Sequence, residues 1–416
     1  MYQEIKLQNG ARLLLEKVPG ARSAALGFFV GVGSRHETAA ENGSAHFIEH
    51  MLFKGTHRRS AADLAMDMDA IGGQVNAFTT KEHTCFYARS LDRHLPQALD
   101  ILSDMLFHSK FAQEDVETER GVILEEIGMY EDTPEDLVAE RLASAIYKGT
   151  ALARPILGTQ ATLSNMTGER LKDWHQRHYL PGNLVAALAG SFTQAQVDEI
   201  LALMGSLEPG PAPVQTPAKY KRAVTCRRKN IEQNHLILAF PAMNYLDPRR
   251  YQLLLLNSLL GGGCSSRLFQ EVREKRGLCY TVYSYVADHE DVGLQGIYTA
   301  VNPEQENAAL TTIRNIIDDL AQHGPTQAEL DRAREQAKAG LLLGCESIQS
   351  RMSHLGNAAL LYHKVREVDE IIAEYEAVTR DQVQCLAQEM FSFDHASLSA
   401  VGKVKTIAQY SQWLGR

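Results

Sequence analysis

Ala186-Ala187-Leu188-Ala189-Gly190 has an echo in Leu398-Ser399-Ala400-Val401-Gly402, and the two closing glycines lie 212 positions apart. The first is a continuous apolar run ended by glycine, which reads as a buried strand. Moving outward, Phe29 and Phe240 sit in two further β-forming runs, 211 positions apart. The same succession surrounds both: two strands, helices, a strand pair, more helices. A period of about half of the 416 residues implies a duplicated domain.

Between the copies lies Glu208-Pro209-Gly210-Pro211-Ala212-Pro213-Val214-Gln215-Thr216-Pro217, with four of the chain's 13 prolines. Such a segment is stiff and extended and makes a good domain boundary. The expected division is a first domain over 1–207, a linker over 208–220 and a second domain over 221–416. Strands and helices come in blocks, which favours an α+β fold. Each half is then an antiparallel β-sheet packed against α-helices. In the first half, strands are expected over 3–18, 22–33, 74–80, 84–90 and 184–189. Helices are expected at about 94–108, 113–131 and 135–147, and Ser60-Ala61-Ala62-Asp63 resembles a capping box that opens another. The second half reads as strands at 221–230, 234–240, 279–287, 291–300 and 398–402. Its helices include 247–260 and 265–276.

Composition narrows the field. The chain is 44% hydrophobic and 22% charged, which is ordinary for a soluble protein. A formal net charge of −9 argues against nucleic acid as a partner and would attract a cationic peptide. The six cysteines (Cys85, Cys226, Cys264, Cys279, Cys345 and Cys385) form no C-x-x-C and read as reduced thiols of a cytoplasmic protein. Met1-Tyr2-Gln3-Glu4-Ile5-Lys6 is not the apolar core of a signal peptide. No apolar run reaches the ~18 residues that a membrane span requires.

The chemistry concentrates in His46-Phe47-Ile48-Glu49-His50. On a helix, residues four apart are neighbours, so His46 and His50 can aim two imidazoles at one point. Glu49 sits about 60° round the helix from His46. Two neutral imidazoles suit Zn²⁺, and a carboxylate beside the metal suits a general base. A third ligand is required. The acidic helix around Glu117-Thr118-Glu119-Arg120-Gly121-Val122-Ile123-Leu124-Glu125-Glu126-Ile127 is the candidate region. Glu119 and Glu126 fall two turns apart on one face. Periodicity equally allows an exposed acidic face with no ligand. Adding 211 to positions 46, 49 and 50 gives Asn257, Leu260 and Gly261. The second half is therefore expected to lack a metal site and to act as a scaffold and substrate wall.

His46-Phe47-Ile48-Glu49-His50-Met51-Leu52-Phe53-Lys54-Gly55-Thr56, followed after 75 residues by Glu126, resembles the pitrilysin family of inverzincin zinc peptidases. That family includes mitochondrial processing peptidase and insulin-degrading enzyme. Gly72-Gly73-Gln74-Val75-Asn76-Ala77-Phe78-Thr79 and the segment Arg273 to Tyr280 extend the resemblance toward the processing-peptidase type. It spans most of the chain.

The resemblance implies a zinc-dependent endopeptidase that cleaves unfolded peptides or presequences. It implies one Zn²⁺ per chain, held by His46, His50 and Glu126, with Glu49 as the base and Glu119 orienting a ligand histidine. Glu125 is the runner-up ligand, set aside because it points about 100° away from Glu126 on the helix. Asn76, Ala77 and Phe78 would lie on an edge strand that pairs with the peptide backbone. Arg273 would hold the substrate and Tyr280 would stabilise the oxyanion. Full-length members enclose a chamber with four such domains, so a homodimer, or a heterodimer with a related chain, is expected. The competing expectation is an inactive peptide-binding or scaffold subunit, although such members typically lose a ligand or the base.

Overall fold

Among the described residues, 2–415 of this computed structural model, eleven strands form two sheets. The first contains β1 (Gln3–Lys6), β2 (Arg12–Lys17), β3 (Ser23–Val30), β4 (Gln74–Thr79), β5 (Thr84–Leu91) and β6 (Leu184–Gly190), in the order β1-β2-β6-β3-β5-β4. The second contains β7 (Val224–Arg228), β8 (Asn234–Ala242), β9 (Cys279–Asp288), β10 (Gly293–Val301) and β11 (Ser397–Gly402), in the order β7-β11-β8-β10-β9. Without β1, the two orders correspond strand for strand. The fold is α+β and duplicated, as the repeat implies. The echoed runs are β6 and β11, and their glycines hold the same special conformation, φ 111° at Gly190 and 135° at Gly402. A Cβ at Gly190 would lie 2.3 Å from the Ser23 carbonyl oxygen, so both φ and space call for glycine there.

Three expectations need correction. The run 3–18 is two strands, β1 and β2, which pair antiparallel around a turn at Asn9-Gly10 where Gly10 has φ 94°. Each sheet also contains one parallel pair, β2 with β6 and β7 with β11. Helices intervene between those partners and make a parallel return possible. Finally, the helix expected over 265–276 is shorter, covering 267–274, and is π-type over Phe269–Glu274. It is stopped after by Gly277, at φ 58°.

The first unit contains α1 (Ser44–Leu52), α2 (Ala61–Ala70), α3 (Leu95–His108) and α4 (Gln113–Asp132) as far as Ile127, and α5 (Pro134–Ile146) follows in the second unit. Leu26 and Phe28 of β3, Phe86 of β5, Phe47 and Ile48 of α1 and Leu102 of α3 share one core. The other face of the same sheet, with Leu14, Ala25, Phe29 and Ala187, packs against Met352, Leu355 and Ala359 of the helix Ile348–Leu361. β3 is buried on both faces, so its sequence shows a run and not an alternation.

The two compact units cross the midpoint of the sequence. The first runs to Ile127 and adds Arg154–Thr216 and Leu342–Glu367. The second takes Gly128–Ala153, Pro217–Leu341 and the chain from Val368 onward. In the second unit, Val138, Leu142 and Ile146 of α5 cover Ile237 and Ala239 of β8 and Val401 of β11. Each half of the sequence thus lends one helix to the sheet made by the other half. The segment 208–220 holds no helix or strand.

Candidate metal centre

Helix α1 begins at Gly43, which sits at φ 99° and has no side chain with which to cap the helix. Glu37 supplies the cap from outside. Its Oε2 accepts the Gly43 amide at 2.9 Å and its Oε1 accepts the Ala45 amide at 2.8 Å. Asn42 Nδ2 donates to Oε2 at 2.9 Å. Burial pushes the Glu37 carboxyl up to about 7, against these three donors. Phe47, Ile48 and Leu52 are fully buried and pin the helix. Each such side chain contributes about 1.5–3 kcal/mol, which outweighs the ~1 kcal/mol typical of a cap. Packing seats α1, and Glu37 sets where it starts.

That seating turns His46 and His50 toward α4, with ring centroids 4.6 Å apart. His46 Nε2 lies 3.6 Å from Glu126 Oε2, and His50 Nε2 lies 3.8 Å from the same oxygen. These are longer than hydrogen bonds. One ligand atom from each of the three residues falls within 4.8 Å of the others. Burial, with His50 beside it, holds the His46 imidazole down at about 3, so it is neutral. His50 Nδ1 is 3.0 Å from Glu119 Oε2, which makes that nitrogen the N–H donor and leaves Nε2 facing Glu126. Two imidazole nitrogens and a carboxylate oxygen therefore face one point, a donor set that fits Zn²⁺. Among the described residues this is the one such cluster.

Glu49 stands beside this group. Its carboxyl is raised above the usual range, first by burial and then by the nearby Glu126 charge, while Thr79 and His50 act the other way. Thr79 Oγ1 donates to Glu49 Oε2 at 2.5 Å. Glu125 is exposed and lies outside the cluster. Val116, Glu119 and Ile123 form the buried face of α4. Arg120 ties that helix to the Leu163 and Met166 carbonyls.

Asn76, Ala77 and Phe78 lie on β4, the outer strand of its sheet. The Thr80 amide bonds the His83 carbonyl, which closes the hairpin, and β4 then pairs with β5 from Thr79↔Thr84 to Gln74↔Arg89. The alternation of an antiparallel ladder leaves the backbone groups of Val75, Ala77 and Thr79 pointing out from the sheet. The Ala77 amide is met there by Asn76 Oδ1 at 2.9 Å. Phe78 is 37% exposed, with its ring edge-on to His83.

Arg273 and Tyr280 belong to the second unit. There the Arg273 guanidinium lies between two rings, 4.6 Å from Phe269 and 4.9 Å from Tyr280, and Tyr280 is 76% exposed. The positions matched to the first-half motif hold no ligand set. Asn257 Oδ1 accepts from Gln295, Leu260 is buried, and a Cβ on Gly261 would lie 2.4 Å from the Ser284 nitrogen.

Three residues of this region escaped the sequence reading. Lys54, whose Nζ is 2.5 Å from Glu119 Oε1, lies just past the end of α1, and its closeness in the chain to His50 is the one signal that points to it. Thr79 carries no local signal, because it meets Glu49 only through the tertiary fold, and Glu37 caps α1 from six to eight residues upstream, a spacing that matches no capping box.

Comparison with known proteins gives a consistent picture. The family model for insulinase (peptidase family M16) matches residues 12–160, and that for the peptidase M16 inactive domain matches 165–337. A Bacillus subtilis protein named as an uncharacterized zinc protease is 43% identical over 397 residues, 95% of this chain and 97% of that one. A Streptomyces coelicolor protein of the same description is 42% identical over 409 residues, 96% of this chain and 89% of its own length. A protease from Helicobacter pylori has the same fold, with TM-score 0.91 at 20% identity over 97% of this chain and 99% of that one. So does a Pseudomonas fluorescens structure described as a peptidase M16 inactive domain, with TM-score 0.90, 23% identity, and 97% and 99% coverage.

Fold, site and relatives together define the class as one of duplicated α+β proteins related to zinc proteases. The chain belongs to the insulinase family, peptidase family M16. Among the described residues no helix is long and apolar enough to cross a membrane.

Proposed function

We propose that this protein is a zinc-dependent endopeptidase acting on unfolded peptides or presequences, with His46, His50 and Glu126 holding one Zn²⁺. The observation that carries the reading is the meeting of two imidazoles and one carboxylate at a single point, with Glu49 next to it. Bound zinc supplies Lewis acidity, which polarises the scissile carbonyl and acidifies water.

The rest falls to the chain's own residues. Glu49 Oε2 is held by Thr79, so Oε1 takes the proton of the attacking water. Glu49 then delivers that proton to the leaving amine. Glu119 keeps the His50 tautomer and ring orientation. The outward backbone of β4 at Val75, Ala77 and Thr79 offers a ladder to an extended peptide, an affinity that tolerates varied side chains. Asn76, Ala77 and Phe78 form the substrate strand in this reading, and Asn76 must release the Ala77 amide when a peptide adds. Arg273 and Tyr280 are assigned to substrate backbone binding and oxyanion stabilisation. The single duplication supports a working unit of two chains, either a homodimer or a heterodimer with a related chain.

Glu49→Gln tests the reading. It should keep zinc while peptide cleavage falls by about 10²- to 10⁴-fold. Turnover at the wild-type rate would contradict it and favour a peptide-binding role without catalysis.

A further inference from the structure

Thr79 is the last residue of β4 and occupies two places at once. Its backbone lies on the open side of the strand, where Val75 and Ala77 also point outward. Its side chain turns to the helical face, the side on which Val75 and Ala77 pack against the core. There its hydroxyl gives Glu49 a short bond of 2.5 Å. An O–H donated to a carboxylate is charge-assisted and strong. Threonine is also stiff at χ1, so a fixed backbone means a fixed hydroxyl.

We propose that Thr79 is a positioning residue that couples peptide addition on β4 to the orientation of Glu49. The inference rests on the peptidase reading above. A peptide that extends the sheet bonds the outward groups of Ala77 and Thr79. That addition braces the end of β4, from which the Thr79 hydroxyl already holds Glu49. The hydroxyl occupies Glu49 Oε2 and leaves Oε1 free for the proton. Binding energy collected along the strand is thereby spent on aligning the base, so it appears in kcat and not only in KM.

The alternative is a hydroxyl that merely stabilises the hairpin end. The two differ in what a substitution changes. Thr79→Val keeps the shape and the β-branch and removes the donor, while Thr79→Ser keeps the donor. The full-length, zinc-loaded protein is assayed with an internally quenched peptide. Peptide affinity is measured separately by anisotropy on chelated protein, and zinc content is measured for each variant.

Thr79→Val should lower kcat about 10- to 100-fold, with zinc content, peptide Kd and KM unchanged. Thr79→Ser should restore kcat to near the wild-type value. A wild-type kcat in Thr79→Val, beside an inactive Glu49→Gln, overturns this inference alone. So does loss of zinc or of peptide affinity in Thr79→Val, which would mark the hydroxyl as structural. Wild-type turnover in Glu49→Gln removes the base, and this inference falls with the peptidase reading.

Discussion

His50 Nδ1 lies 3.0 Å from Glu119 Oε2, and Lys54 Nζ holds the other oxygen of that carboxylate at 2.5 Å. The three residues form a chain from a lysine just past the end of α1 to a buried glutamate to an imidazole. Lys54 balances the Glu119 charge, and Glu119 keeps the proton on Nδ1. Glu119→Gln should weaken zinc binding about 10- to 100-fold, the usual cost of losing such a support. Competition with a calibrated chelator measures this. Lys54→Met should cost less, since it removes no hydrogen bond to the ring. Equal zinc affinity in Glu119→Gln and wild type would remove this role.

The helix Ile348–Leu361 comes from the second half of the sequence and covers the first sheet, and Gly356 faces Phe29 of β3. A Cβ there would lie 2.1 Å from the Phe29 ring. Phe29 is fully buried and has little room to withdraw. Gly356→Ala should therefore destabilise the protein by about 1–3 kcal/mol through overpacking, even though alanine is the better helix former by ~1 kcal/mol. Urea unfolding decides the sign. A gain in stability would mean that helix propensity outweighs the contact with Phe29.

His36, His83 and His175 are each held down at about 4, with burial as the first cause. An unfolded histidine titrates near 6.5. Between about 6.5 and 4 the unfolded chain binds protons that the folded chain refuses. Stability is thus complete above that window and falls as pH drops through it, by about 1.4 kcal/mol per pH unit for each proton. His175 Nε2 is buried without a partner, so its replacement is informative. Urea unfolding between pH 7 and pH 5, with chelator present throughout, should show a shallower decline for His175→Phe than for wild type. Parallel curves would contradict the assignment.

The duplication could be read directly, because Gly190 and Gly402 answer the same backbone requirement in both copies. The pair His46 and His50 could also be read, since helical spacing alone brings them together. Glu126 could not be separated from an idle surface acid by periodicity; that choice came from resemblance. The exchange of α5 and the helix Ile348–Leu361 between sheets left no local trace, because an amphipathic helix does not state which sheet it covers. The hairpin of β1 and β2 was merged into one run because its alternation continues across Asn9-Gly10, although that dipeptide favours a tight turn. Thr79 acts only across the fold, at 30 residues from its partner.

The central claim is that His46, His50 and Glu126 converge on one metal ion. Metal analysis of the purified protein tests it most directly, on wild type, Glu126→Gln and Glu125→Gln prepared together. About one zinc per chain is expected in wild type and in Glu125→Gln, with loss of zinc in Glu126→Gln. Full zinc occupancy in Glu126→Gln, or its loss in Glu125→Gln alone, would contradict it.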